Sequence, residues 1–330
     1  MMLMHSWRSF ASNFFSDSYN CRSWGNLGAA VVVNTVMENK NVFWGYVAGI
    51  VAGVTYGLNP LFAKPLLEMG VSVDTMLSIR YLLAVAILGA WLLFKRESFK
   101  VNKAQFLRLC ILGVLFGLSS MLLFVSYKYI PAGLATTIVF LYPVLVALIM
   151  VFLKVYPTWQ VWLSILMTFV GVVILCKPSG SLSLNMTGLL LAGASALSYA
   201  LYLVVVNRSR RLRTVSNLVL TFYALLTGSV LFIVHNAFSG GGFLSGVHGW
   251  FCWANLAGLA IFPTLVSLLT LAIATRVIGA TKTSVLGVFE PVTAIAVGTI
   301  FFGESLTVNV IVGVAITLVA VTFMVVTAKK

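Results

Sequence analysis

Of the seven acidic residues, six lie before, between or at the ends of apolar stretches, and one, Glu290, stands inside such a stretch. It is eleven residues from Gly279 and twelve from Phe302, so a helix would hold it about 16–18 Å from either end. A carboxyl at that depth is costly and by default faces a cavity or a partner. There it can bind a cationic or zwitterionic solute, or take up and release a coupling proton; its bland alternative is a capping carboxyl that ties together the break at Pro291. Tyr142 stands directly before Pro143 as Glu290 stands before Pro291. A proline inside a helix removes a backbone hydrogen bond and kinks it, which is tolerated where neighbours or cavity water satisfy the freed carbonyl. Tyr56 and Asn59, three apart, share one helical face, and Tyr199 and Tyr202 repeat the spacing. Such a face lines a midplane site or packs through hydrogen bonds. Arg80, near the start of the second apolar stretch, either snorkels outward or draws an anionic group into a cavity. The expected substrate-binding or coupling residues are therefore Glu290, Tyr142, Tyr56, Asn59, Arg80 and Tyr199, with Pro143 and Pro291 as helix breaks. No catalytic, cofactor or metal constellation is expected, because His5, His235 and His248 are scattered and Cys21, Cys110, Cys176 and Cys252 lack metal-type spacing.

The elements that position these residues follow from composition. The chain is 61% hydrophobic and 8% charged, where a soluble domain carries about a quarter charged residues, so a water-soluble fold is excluded. Continuous apolar runs such as Ile111 to Phe124 rule out the alternating pattern of a membrane β-barrel. Helical spans are predicted at about 43–66, 75–94, 105–127, 131–153, 158–176, 186–206, 216–235, 252–274, 279–302 and 307–327, each near the roughly 20 residues a bilayer requires. Trp44, Trp91, Trp159, Trp250 and Trp253 fall near their ends, the depth an amphipathic ring favours. The net charge of +14 marks no nucleic-acid face, because Lys and Arg sit in the short gaps. Lys40, the run Lys95 to Arg108, Lys154, the run Arg208 to Arg213, Arg276, Lys282, Lys329 and Lys330 fall in one alternating set of gaps, against Lys64, Lys128 and Lys177 in the other. Positive residues stay inside, which places both termini in the cytoplasm and suggests a bacterial inner membrane. Before the first span, residues 1–41 read as a disordered or mis-annotated extension, with Met37 an alternative start.

Self-comparison gives the organisation. Gly45, Tyr56 and Lys64 in the first span recur as Gly188, Tyr199 and Asn207 in the sixth, each 143 positions later. Lys128-Tyr-Ile-Pro-Ala and Tyr142-Pro143-Val144 recur as Arg276-Val-Ile-Gly-Ala and Glu290-Pro291-Val292, each 148 later. Five spans are thus duplicated, and because five is odd the copies must thread the membrane in opposite senses. The expected fold is an all-α membrane protein of ten transmembrane helices arranged as two inverted five-helix repeats, residues 42–177 and 178–330. The stripe Gly45, Gly49, Gly53 and Gly57 reads as a helix-packing face.

These residues, together with Gly303-Glu304-Ser-Leu-Thr307 and Gly313, resemble a pair of EamA-type domains of the drug/metabolite transporter superfamily, over about Val42 to the C-terminus. The first half departs from that pattern at Lys154-Val-Tyr-Pro-Thr158, which has no acid where the second half has Glu304. The resemblance implies an exporter or facilitator of metabolites such as amino acids, with a central cavity lined mainly by the first four spans of each half. Expected partners are a small-molecule substrate, membrane lipid and a coupling proton, with no nucleic acid and a single chain as the working unit. No phosphate-cradling loop is present, so energy would come from a gradient. The rival classes are a membrane-embedded enzyme and a non-transporting receptor or channel.

Overall fold

The computed structural model describes residues 27–154, 158–175, 185–209, 211–212, 214–238, 244, 246–278, 283 and 286–327. Residues 1–26, Cys176, Lys177, Arg210, Arg213, Gly279, Ala280, Lys282, Lys329 and Lys330, which the sequence reading used, lie outside them. The chain divides into two compact units, residues 1–43 and Trp44–Lys330. In the first unit the backbone of residues 27–43 is helical, including the part expected to be an extension.

Every element among the described residues is helical: α1 Leu27–Gly57, α2 Asn59–Glu68, α3 Val73–Phe94, α4 Lys103–Ser126, α5 Ala132–Val139, α6 Tyr142–Phe152, α7 Trp159–Leu175, α8 Met186–Arg208, α9 Asn217–Phe238, α10 Gly249–Leu259, a π-helical turn Ala260–Val266, α11 Ser267–Ile278, α12 Phe289–Phe302 and α13 Val308–Thr327. Caps written into the sequence start several of them. The Ser72 hydroxyl accepts from Thr75 N at 3.1 Å, Gln105 Oε1 accepts from Asn102 N at 2.8 Å, and Asn185 Oδ1 accepts from Thr187 N at 2.9 Å. Seven helical segments among the described residues are long and apolar enough to cross a membrane, and Trp159–Ile174, Phe289–Phe302 and Val308–Met324 are shorter apolar helices.

Large apolar side chains point outward all round the bundle, Phe94, Phe152, Phe169, Phe238, Ile300 and Val308 among them, the surface that lipid rather than water covers. Trp91, Trp159, Trp250 and Trp253 are also exposed. Inside, Leu66, Met76, Leu77, Tyr81, Phe124, Phe232 and Leu256 form one buried core. Helices of the two halves pair throughout it: α3 with α9, α4 with α8, α5 with α12, and α7 with α13.

The repeat is visible in the contacts themselves. A Cβ on Gly45 would lie 2.7 Å from both Ile278 and Val277, and one on Gly188 would lie 2.7 Å from Ile130 and 2.8 Å from Tyr129. Ser119 Oγ donates to the Ser195 carbonyl at 3.0 Å, and Ser267 Oγ donates to the Ala52 carbonyl at 3.0 Å. The offsets of 143 and 148 carry each contact of these pairs onto the other with the halves exchanged, as a two-fold relation between the repeats requires.

Candidate substrate site at the broken helices

Pro60, Pro143 and Pro291 do not kink continuous helices; they open new ones, whereas Pro263 lies inside a continuous helical run at its π-helical turn. α1 stops at Gly57, and α2 begins at Asn59 with Pro60 in its first turn. α6 begins at Tyr142 with Pro143 in its first turn, and α12 begins at Phe289 with Glu290 and Pro291 in its first turn. The first turn is where a missing N–H costs nothing, because those donors have no partner within the helix. Tyr56 and Asn59 therefore do not share the face of one helix, as the sequence predicts; the break falls between them. Asn59 Nδ2 bridges it by donating to the Tyr56 carbonyl at 2.8 Å. Its Oδ1 is buried without a partner among the described residues, on a residue only 2% exposed.

Four expected site residues come together where these breaks meet. The ring centroids of Tyr142 and Tyr199 are 4.8 Å apart, edge to face at 84°. Tyr199 stacks on Tyr202 at 5.8 Å. Glu290 is near enough for its charge to act on Tyr56, Tyr142 and Tyr199. The α1 backbone supplies the close wall: a Cβ on Gly57 would lie 2.5 Å from the Glu290 carbonyl oxygen and 2.6 Å from Thr293 Cβ. The glycine stripe is thus a packing face, set against Ile278, Leu286, Glu290 and Thr293. Tyr56, Tyr142, Tyr199 and Glu290 are each half-buried. The offsets relate the Tyr142–Tyr199 pair to Glu290–Tyr56, so one repeat places a ring where the other places a carboxyl.

Arg80 does not snorkel outward. It is 4% exposed, and its Nε donates to Thr264 Oγ1 at 2.7 Å. Its guanidinium carbon lies 5.4 Å from the Phe124 ring centroid and 5.9 Å from that of Tyr81. Its charge acts on Tyr56, so it borders the same cluster.

Sequence reasoning missed three features. Thr264 was hidden; it follows Pro263 in the π-helical turn that presents it. The serines at 119 and 267 carry the 148 offset and were legible. Lys64 and Glu304 form an ion pair at 2.7 Å across 240 positions, which no spacing announces. Glu304 Oε1 also accepts from Ala132 N at 3.1 Å. Gly303, in the left-handed region at φ 62°, turns the chain so that Glu304 N meets the Gly298 carbonyl at 3.0 Å and the carboxylate lies over Gly298. No group of three His, Cys, Asp or Glu residues that could hold a metal occurs among the described residues.

Known proteins supply the rest. No curated protein matches the chain. A crystal structure of another protein, 19% identical, overlays 86% of this chain and 97% of its own with a TM-score of 0.61, a likeness of fold alone. The model of the EamA-like transporter family matches twice, at residues 43–176 and 186–326, the two repeats expected from the offsets. With both matches together spanning most of its length, this integral membrane protein belongs to the EamA-like transporter family.

Proposed function

We propose that the chain is a secondary transporter of small metabolites such as amino acids, working by alternating access around a cavity between its two repeats. It carries no chemistry out on its solute. Counting the three shorter apolar helices as spans beside the seven long ones would make ten; at about 1.5 Å per residue α13 is roughly 30 Å long, while α12 is about 21 Å and would need the residues before it to cross. The repeats are residues 42–177 and 178–330, inverted by the parity of five spans. The charge of the gaps supports cytoplasmic termini, in a bacterial inner membrane.

One observation carries the reading: equivalent residues of both repeats, Tyr142 with Glu290 and Tyr56 with Tyr199, converge at helix breaks. Broken helices are tolerated at membrane depth where they line a cavity, and they are where carriers of this construction hold their solutes. Glu290 is the coupling group. Its carboxyl binds a proton and the solute's amine in turn, and Tyr56, Asn59, Tyr142 and Tyr199 form the wall. A receptor or channel would not concentrate a solute.

Proteoliposomes loaded with labelled amino acids test this. Under an imposed pH gradient the unmodified protein should concentrate its solute, and Glu290→Gln should abolish uphill movement while leaving exchange intact. Uphill transport by the Gln variant at the unmodified level eliminates Glu290 as the coupling site. Absence of any flux above empty vesicles rejects the transport reading itself.

A further inference from the structure

Arg80 is a cation without an anion. The ion pair among the described residues is Lys64–Glu304, and the close contact of His235 Nδ1 with Asp74 Oδ2 is the other acid–base contact; neither involves Arg80. Its one hydrogen bond fixes the Nε edge, at 2.7 Å from Thr264 Oγ1. Thr264 is itself fixed: its hydroxyl donates to the Leu259 carbonyl, five residues back, at 3.0 Å. That carbonyl stands at the head of the π-helical turn Ala260–Val266, and Pro263, four residues on, has no N–H to give it. The Phe124 and Tyr81 rings border the guanidinium. Both Nη atoms lack a hydrogen-bond partner among the described residues, yet neither belongs to the set of buried atoms sealed from water. The guanidinium is thus clamped on one edge and open on the other. An unpaired charge in an apolar span is expensive, and one that persists there faces a cavity or a ligand. Glu290 does not neutralise it: both act on Tyr56, but the two form no ion pair.

We propose that Arg80 is an oxyanion subsite, with its open Nη edge taking a carboxylate of the transported solute in a bidentate pair and Thr264 orienting the guanidinium from the second repeat. The geometry suits a planar carboxylate, since two parallel N–H donors match its two oxygens. This rests on the carrier reading above and adds a second anchor to it. The two anchors come from different helices, α3 and α12, and the orienting hydroxyl from the turn after α10, so a solute bound to both spans elements of both repeats.

The test labels Arg80 with 2,3-butanedione in the purified protein in nanodiscs, with peptide mass spectrometry reading modification at that residue. Sodium acetate is the probe, acetamide its uncharged counterpart, inorganic phosphate the competing oxyanion, and sodium chloride the control for ionic strength. Arg80 should be modified in the free protein, and acetate should slow modification roughly tenfold at about ten times its Kd. Acetamide, phosphate and chloride should protect little. Thr264→Val should weaken acetate protection while Arg80 stays modifiable, whereas Gly193→Ala, whose added Cβ meets nothing within 4 Å, should leave it unchanged. No modification of Arg80 in the free protein overturns the proposal, because the Nη edge would then be closed. Equal protection by acetamide overturns the charge assignment, and stronger protection by phosphate overturns the carboxylate. Labelling requires no transport: protection without flux in proteoliposomes would reject the carrier reading alone, and flux with Arg80 unprotected would reject the subsite alone.

Discussion

The Lys64–Glu304 pair should behave as an energetic link between the repeats, and a double-mutant cycle measures it. The two side chains are 20% and 13% exposed, with Nζ to Oε1 at 2.7 Å. Lys64 Nζ also lies 4.4 Å from the Phe302 ring centroid. Exposed pairs are worth about 0.2–1 kcal/mol, whereas losing one partner of a fully buried pair costs about 3–5 kcal/mol. At these exposures the coupling between Lys64 and Glu304 should fall between, at about 1–2 kcal/mol. Glu304 does a second job that the lysine does not share, accepting the first amide of α5 at Ala132 N. Glu304→Ala leaves both that donor and the ammonium unpaired and should cost about 3 kcal/mol. Glu304→Gln retains an acceptor oxygen and should cost about 1–2 kcal/mol. Lys64→Met should be the mildest, because the helix N-terminus still favours the carboxylate by about 0.3–1 kcal/mol. Steric-trapping measurements of unfolding in bicelles on Lys64→Met, Glu304→Gln and the double variant give the coupling directly. A coupling energy below about 0.3 kcal/mol, the scatter expected of independent sites, refutes the argument.

Other predictions test the packing. Gly57→Ala places a Cβ 2.5 Å from the Glu290 carbonyl oxygen, which as backbone cannot yield, and should cost about 1–3 kcal/mol; an unchanged melting temperature would contradict the α1–α12 contact. Gly193→Ala is the control, because nothing lies within 4 Å of its Cβ position, and it should be neutral or gain about 0.5–1 kcal/mol. Ser119→Ala and Ser267→Ala each remove a cross-repeat hydrogen bond and should each cost about 1 kcal/mol; thermal unfolding in which only one of them matters would break the equivalence of the repeats. Tyr142→Leu removes the edge-to-face contact with Tyr199, worth about 0.5–1.5 kcal/mol beyond its area, and should lower solute affinity in transport assays with little loss of fold.

What the sequence revealed and what it concealed divide along physical lines. Periodicity and offset gave the helices and the repeat, because a duplicated fold must reuse small residues where its copies touch. Gly45 and Gly188 meet Ile278 and Ile130 for that reason. That Glu290 stands among apolar residues was legible, because it is a lone carboxyl in an apolar run; that it stands in the first turn of α12 was not. The helix starts at Asn59, Tyr142 and Phe289 were not. A proline is compatible with a kink inside a helix and with a first turn, and only the path of the backbone before it decides between them. Contacts between distant positions were hidden altogether, since Arg80 and Thr264 lie 184 positions apart and Lys64 and Glu304 lie 240 apart.

Those hidden contacts carry the asymmetry of the molecule. The Lys64–Glu304 pair and the Asp74–His235 pair, at 2.9 Å, fasten one end of the bundle. At the opposite end of α3 and α9, Ser216 Oγ donates to Glu97 Oε2 at 3.1 Å, and Gln105 Nε2 and Arg108 Nη1 donate to Arg211 O and Ser209 Oγ. By the offsets, the counterparts of Lys64 and Glu304 in the other repeat are Asn207 and Tyr156, a pair of residue types that cannot form an ion pair. A carrier with equivalent halves would open to either side at equal cost. In the alternating-access reading proposed above, opening the end that holds Lys64 and Glu304 would separate that pair, and a coupling of about 1–2 kcal/mol would weight the two open states by roughly five- to thirtyfold. The scaffold is duplicated, but the Lys64–Glu304 ion pair has no counterpart by residue type in the other repeat.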